Sequence, residues 1–132
     1  SSDLAKAQGA KRAVMLPVSA PFHCPLMQPA ADAMAAALVG TQIAAPAVPV
    51  VANVTAVPTS DPEEIRRLLV AQVTAPVRWR ESVEAMAAAG VTEVWELGAG
   101  KALSGMVKRI DRAVAARAIG TAADVKAAFG AA

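Results

Sequence analysis

Short β-branched apolar runs and stripes of apolar residues at a spacing of three to four alternate along this chain, a pattern that predicts strands connected by helices. Ser2 or Asp3 caps a short helix through Leu4 and Ala7 that Gly9 ends, and Ala13-Val14-Met15-Leu16-Pro17-Val18 reads as a buried strand. The next helix runs from about Pro25 to Val39, with Met27, Ala31, Met34 and Leu38 on one core-facing stripe and Gly40 as its stop. Residues Ala47 to Val54 are β-rich, although Pro49 confines them to a strand start or to a place where no ladder donor is needed. Ser60-Asp61-Pro62-Glu63 reads as a capping box with Ser60 as the cap, after which Ile65, Leu68, Leu69 and Gln72 share a face. Pro76 stops that helix and leaves Gln72 in its last turn. Trp79, Val83, Met86 and Ala87 form another stripe, broken at Gly90, and Val91 to Leu97 read as a strand. Gly98-Ala99-Gly100-Lys101 then opens a helix carrying Leu103, Met106, Val107 and Ile110; Ala113 to Ile119 read as a last strand, and Thr121 to Asp124 cap a helix through Val125 and Phe129. The alternation predicts an α/β fold with a largely parallel sheet.

Composition narrows this to one modest core. The 132 residues are 55% hydrophobic but only 3% aromatic, and much of the apolar content is alanine, which packs closely but buries little area. A core so thin, in a chain opening Ser1-Ser2-Asp3 with no methionine and no apolar leader, leads us to expect part of a longer protein. A net charge of +2, without tyrosine or a basic run interleaved with aromatics, argues against a nucleic-acid binder. No apolar stretch approaches the roughly 18–20 residues that span a bilayer, so no membrane partner is expected. The single cysteine cannot form an internal disulfide, and with one histidine it makes too small a set for zinc, which fits a reducing cytoplasm and no metal.

Chemistry concentrates in Pro17-Val18-Ser19-Ala20-Pro21-Phe22-His23-Cys24-Pro25, where the one histidine sits in a loop framed by three prolines. Histidine has an unperturbed pKa near 6.5 and can take and return a proton within a turnover, and the prolines fix its direction. Cys24 is a packed thiol on this reading, because neighbours in an extended segment point to opposite sides. Gln72 completes an apolar face at a helix end, so its amide needs a partner, and the carbonyls there lack intrahelical donors. Asn53, the sole asparagine, lies at a strand's end, where it either touches a substrate or holds a turn. The Gly98 loop has the order of a phosphate cradle without the full spacing of one; a tight turn with close strand–helix packing is the favoured reading.

Four segments together resemble a known family, the malonyl-CoA:acyl-carrier-protein transacylases of fatty-acid and polyketide synthesis. They are Leu16 to Cys24 with the following Leu26-Met27; Pro49-Val50-Val51-Ala52-Asn53-Val54-Thr55; Gln72 through Pro76-Val77-Arg78-Trp79; and Glu96-Leu97-Gly98-Ala99-Gly100-Lys101-Ala102-Leu103-Ser104-Gly105-Met106. Their order and spacing match the carboxy-terminal portion of such enzymes; Ala99 departs from the pattern, a proline being usual there. The resemblance implies part of an α/β-hydrolase-like parallel sheet flanked by helices, with residues 1–15 ending a small ferredoxin-like subdomain and residues 16–132 the carboxy-terminal part of the acyltransferase domain. It implies a GHSxG serine, a histidine that activates it, matched by His23, and a main-chain carbonyl that orients the histidine, matched by Gln72. Neither the serine motif nor the family's carboxylate-binding arginine has a counterpart here, because both lie upstream of the matching segments.

The implied reaction passes a malonyl group from malonyl-CoA to the phosphopantetheine thiol of acyl carrier protein, with no cofactor beyond those thiols. The complementary amino-terminal part would be a partner. So would the carrier, an acidic helical bundle that would dock on a basic surface; Arg78, Arg80, Lys101, Lys108, Arg109 and Arg112 offer one, or are plain solvated charges. A non-catalytic fragment that keeps only that docking surface is the alternative function.

Overall fold

The expected parallel pairing forms, and it is short. The structure, a computed structural model, describes residues 2–14 and 18–130. Strand β3 (Glu93–Leu97) runs parallel to β4 (Ala115–Ile119), with Val94 opposite Ala116 and Trp95 opposite Arg117. Parallel strands need a crossover, which α5 (Ala102–Ile110) supplies. A second sheet is an antiparallel pair of two-residue strands, β1 (Val50–Val51) and β2 (Pro58–Thr59), so the sheet content is less uniformly parallel than the pattern predicts. The remaining helices are α1 (Ser2–Ala7), α2 (Gln28–Val39) after a 3₁₀ turn at Pro25–Met27, α3 (Pro62–Ala71), α4 (Trp79–Ala88) and α6 (Ala122–Phe129).

Val83 on α4, Val107 on α5 and Val114 before β4 are buried together, with Trp79, Met86, Ala87, Val94, Ile110 and Ala116 packed around them. The stripe read at Trp79, Val83, Met86 and Ala87 therefore faces this core. On the opposite face of β3, Trp95 meets the edge of Phe129 at 5.3 Å, with the Arg117 guanidinium 5.8 Å from the indole ring centre. The capping box at α6 forms as the sequence predicts, the Thr121 hydroxyl accepting from Asp124 N while the Asp124 carboxylate accepts from Thr121 N. The Thr121 hydroxyl also donates to the Asp124 carboxylate at 2.8 Å, and this bond, then those from Gly120 N and Thr121 N, hold the Asp124 carboxyl below its ordinary pKa.

Four local expectations change. The α3 cap is Asp61, not Ser60: its carboxylate accepts from Glu63 N at 3.0 Å, and Pro62, which has no N–H, fills the first helical position. The strand expected across Ala47–Val54 shrinks to Val50–Val51, because Pro49 withholds a donor and, among the described residues, its pairing partners are Thr59 and Pro58 alone. The strand expected at Ala13–Val18 falls in part on residues 15–17, outside the described residues, and residues 13, 14 and 18 carry no strand. On α2 the stripe is buried at Ala31 alone, while Met34 is exposed. Exposed apolar side chains extend beyond it: Leu26, Val39 and Leu97 are 75, 83 and 72% exposed. Among the described residues, no helix is long and apolar enough to cross a membrane.

Candidate active site

Three residues singled out in distant parts of the sequence meet in space. The α3 helix ends at Ala71, and Gln72 caps it, its N–H still bonded to Leu68 O while its own carbonyl has left the helical ladder. That carbonyl lies 2.9 Å from His23 Nδ1. A carbonyl oxygen only accepts, so Nδ1 carries the proton, and in the neutral ring Nε2 is left as the free basic nitrogen. The orphan carbonyl at a helix carboxy-terminus is also the negative end of the helix dipole, a fitting partner for an imidazolium. The amide of Gln72 is used as well: Asn53 Nδ2 donates to Gln72 Oε1 at 2.9 Å, in partly buried surroundings. Asn53 is in turn fixed by Arg78, whose N–H donates to Asn53 O at 2.8 Å and whose guanidinium donates to Thr55 O at 3.1 Å.

The histidine is held by its loop in an uncommon shape. His23 has φ 58°, the left-handed region, where side chains other than glycine are rare and histidine is among the better tolerated. Such a conformation costs about 1–3 kcal/mol, and a neutral hydrogen bond contributes about 0.5–1.5 kcal/mol. The bond to Gln72 alone therefore does not hold the ring; the loop shares the task. Phe22 N donates to Ala20 O at 2.9 Å in a tight turn, and the Cys24 thiol donates to Pro21 O at 3.1 Å. Cys24 is extended, as the sequence predicts, and His23 is not. The two side chains use separate acceptors, and Cys24 is half-buried. Among the described residues no cluster of three or more histidine, cysteine or carboxylate side chains could hold a metal ion.

An apolar cavity of about 140 Å³ adjoins Asn53 and Gln72, lined also by Val51, Ile65, Leu68 and Leu69. It is smaller than the roughly 300–1,000 Å³ typical of small-molecule sites, and His23 does not line it. The phosphate-cradle reading of the Gly98 loop fails. The donors at the start of α5 already serve Glu96, whose carboxylate accepts from Ser104 Oγ at 2.6 Å, Ser104 N at 2.8 Å and Leu103 N at 3.1 Å. The Ser104 hydroxyl, then the backbone donors, hold its carboxyl below its ordinary pKa. The chain bends there, with φ 127° at Gly98 and 97° at Gly100, and the close packing is between strand ends: Gly98 N donates to Ile119 O, and a Cβ on Gly120 would come within 2.7 Å of Gly98 O.

The basic residues divide. Arg78 pairs with Glu81 at 3.4 Å and Arg80 with Glu84 at 2.9 Å. Lys101 and Lys108 line a shallow concavity of about 390 Å³ together with Arg117, which sequence reasoning did not single out; Arg109 and Arg112 are exposed elsewhere around the end of α5. Two further features were missed. The Asn53–Gln72 bond could have been suspected from two lone amides, one at a helix end and one at a strand end, whereas nothing local signals the left-handed His23.

No family model matches the chain. Individual relatives do. The malonyl CoA-acyl carrier protein transacylase of Salmonella typhimurium is 49% identical over 124 residues, 94% of this chain and 40% of that protein. The crystal structure of the acyl-carrier-protein-S-malonyltransferase from Bartonella henselae superposes with a TM-score of 0.87 at 52% identity, over 97% of this chain and 41% of that one. A structure of a type II PKS acyl-carrier protein in complex with its malonyl-transacylase gives 0.84 at 45% identity, over 96% and 41%. The chain thus spans about two fifths of the length of the curated relatives it matches. Over nearly all of its 132 residues it is a relative of the malonyl-CoA:acyl-carrier-protein transacylase family, matching a part of such a protein.

Proposed function

We propose that these residues supply the histidine side of a malonyl-CoA:acyl-carrier-protein transacylase, as the carboxy-terminal part of an α/β-hydrolase-like acyltransferase domain. Residues 1–15 would end a small ferredoxin-like subdomain. The observation that carries this reading is the 2.9 Å contact of His23 Nδ1 with Gln72 O, which leaves Nε2 free for a proton. It also favours a catalytic role over a fragment that only docks a carrier, because docking needs no oriented imidazole. The serine comes from residues outside these 132, since none of Ser1, Ser2, Ser19, Ser60, Ser82 or Ser104 lies in GxSxG. Exposed Val18, Phe22 and Leu26 on the histidine loop offer an apolar surface for those residues to cover.

In the reaction, Nε2 accepts the proton of the serine hydroxyl as its oxygen attacks the malonyl thioester. The imidazolium, held through Nδ1–H by the Gln72 carbonyl, returns that proton to the departing CoA sulfur. The carrier's phosphopantetheine thiol then gives its proton to Nε2 and attacks the malonyl-serine ester, and the serine oxygen leaves with the proton. The neutral carbonyl takes the place of the carboxylate in a Ser-His-Asp triad. The chemistry calls on no metal and on no cofactor beyond CoA and the carrier's phosphopantetheine, and a cytoplasmic setting suits its free thiols.

The carbonyl rather than the amide is the part of Gln72 that holds the ring, which separates two variants in the enzyme completed to its relatives' length. Gln72→Ala keeps the carbonyl and is expected to retain at least about tenfold more activity than His23→Ala, whose loss is about 100-fold or more. Thr74→Pro removes the Thr74 N–H that reaches Ala71 O and pushes Val73 out of helical geometry, and it is expected to lower transfer sharply. If steady-state assays found Gln72→Ala as inactive as His23→Ala, the carbonyl assignment would be wrong.

Carrier docking belongs to the same proposal, on Arg78, Arg80, Lys101, Lys108 and Arg109. The ion pairs at Arg78 and Arg80 leave Lys101, Lys108 and Arg109 as the stronger source of positive field. Reversing Lys108 and Arg109 to glutamate should raise KM for the carrier and leave KM for malonyl-CoA nearly unchanged. Added salt should shrink the difference, since the Debye length is about 8 Å at physiological ionic strength. Equal effects on both substrates, or none, would place docking elsewhere.

A further inference from the structure

We infer that Asn53 is a positioning residue that acts on His23 through the side chain of Gln72, rather than a residue that touches substrate. The inference rests on the histidine reading above and extends it by one layer. Gln72 uses both its polar ends: the main-chain carbonyl meets His23 and the side-chain oxygen accepts from Asn53. Beyond the end of α3 at Ala71, the peptide that carries this carbonyl is held on its other side by Val73 N, which donates to Val70 O at 3.1 Å. The anchoring of the side chain adds a second hold on the same residue. Asn53 is suited to the task because its own main chain is tied down by Arg78 N, at the start of α4. The segment that carries Asn53 is stiffened further by the Arg78 guanidinium on Thr55 O and by Ala56, buried with φ 55°. The amide bond thus links the end of α3, the segment after β1 and the start of α4 at the one residue whose carbonyl orients the imidazole. The bond from Nδ2 turns the Asn53 amide toward the end of α3.

Carboxylate replacements of the same shape test the bond without opening a cavity. In Asn53→Asp, the Gln72 amide can rotate and donate Nε2 to the new carboxylate; in Gln72→Glu, Asn53 Nδ2 still finds an acceptor. With both replaced, two carboxylates face each other and neither can donate. In the completed enzyme the double variant should fall in kcat at least about tenfold below the product of the singles, the size of coupling expected for residues in one network. KM for malonyl-CoA should hardly move in any of the three. A double variant equal to the product of the singles would overturn the inference, as would Asn53→Asp raising KM for malonyl-CoA in a way indifferent to residue 72. Failure of the histidine reading is told apart by His23→Ala measured alongside: parent-like activity there overturns both, whereas its loss beside multiplying Asn53 and Gln72 effects overturns this step alone. Should the double variant not fold, Asn53→Leu, which keeps the volume and removes the donor, should lower kcat about tenfold with KM unchanged. A parent-like kcat in that variant would equally overturn the inference.

Discussion

His23→Ala in the enzyme completed to its relatives' length is expected to lower malonyl transfer by at least about 100-fold, the lower range for losing a positioned general base. The size follows from what the ring would do twice per turnover on the proposed mechanism, once for the serine hydroxyl and once for the carrier thiol. Cys24 cannot substitute, because its thiol is spent on Pro21 O. The substitution removes little packing, as His23 is exposed and its contact with Gln72 is a single hydrogen bond. It also relaxes nothing that α3 or the Val83 core depends on, so circular dichroism and the unfolding midpoint should stay close to the parent's. A pre-steady-state experiment with radiolabelled malonyl-CoA should then show that serine acylation itself has slowed, rather than carrier binding. Acylation at the parent's rate, with only the carrier step impaired, would remove His23 from the first half-reaction.

How much of this was legible beforehand depends on the range over which each feature is determined. The α6 cap is local, since Thr121 and Asp124 lie three residues apart and satisfy each other, and it formed as read. The Trp79–Ala87 stripe is periodic over a whole helix, so it located the core without knowledge of what it packs against. Ser60 and Asp61 present the same chemistry one residue apart, and only Pro62 at the first helical position decides between them. The stripe on α2 was read as core because its apolar spacing is right, yet it lies largely exposed. Periodicity reports which face is apolar and not whether anything covers it.

At the site, the sequence located His23 and Gln72 by residue type and by place, one in a proline-framed loop and one at a helix end. Their meeting across 49 positions is tertiary and could be read only through the family resemblance. The left-handed φ of His23, directly after the tight turn at Ala20–Phe22, has no local signature. The sequence leaves Asn53 open between touching a substrate and holding a turn. Its amide nitrogen donates to Gln72, a contact across 19 residues that no periodicity encodes.

The 132-residue chain assayed alone is expected to transfer no malonyl group above the uncatalysed rate. A general base accelerates only a reaction whose nucleophile it can reach, and the six serines of this sequence include none in an elbow motif. Ser104 donates its hydroxyl to Glu96 at 2.6 Å and is buried at the start of α5, which fits a structural group. The alternative nucleophile, Cys24, is bound to Pro21 O beside the histidine, not aimed at its free nitrogen. Without a covalent acceptor the ring can at most activate water, which would hydrolyse malonyl-CoA instead of passing the acyl group on. Two readouts separate these outcomes: release of CoA, and appearance of malonyl-carrier protein by intact mass. Neither should rise above background for the chain alone, and both should rise when a second polypeptide supplying the GHSxG segment is added. That rescue should fail with His23→Ala. Malonyl-carrier formation by the purified chain with no longer species present would mean that one of the serines, or Cys24, serves as nucleophile in a geometry different from the one described.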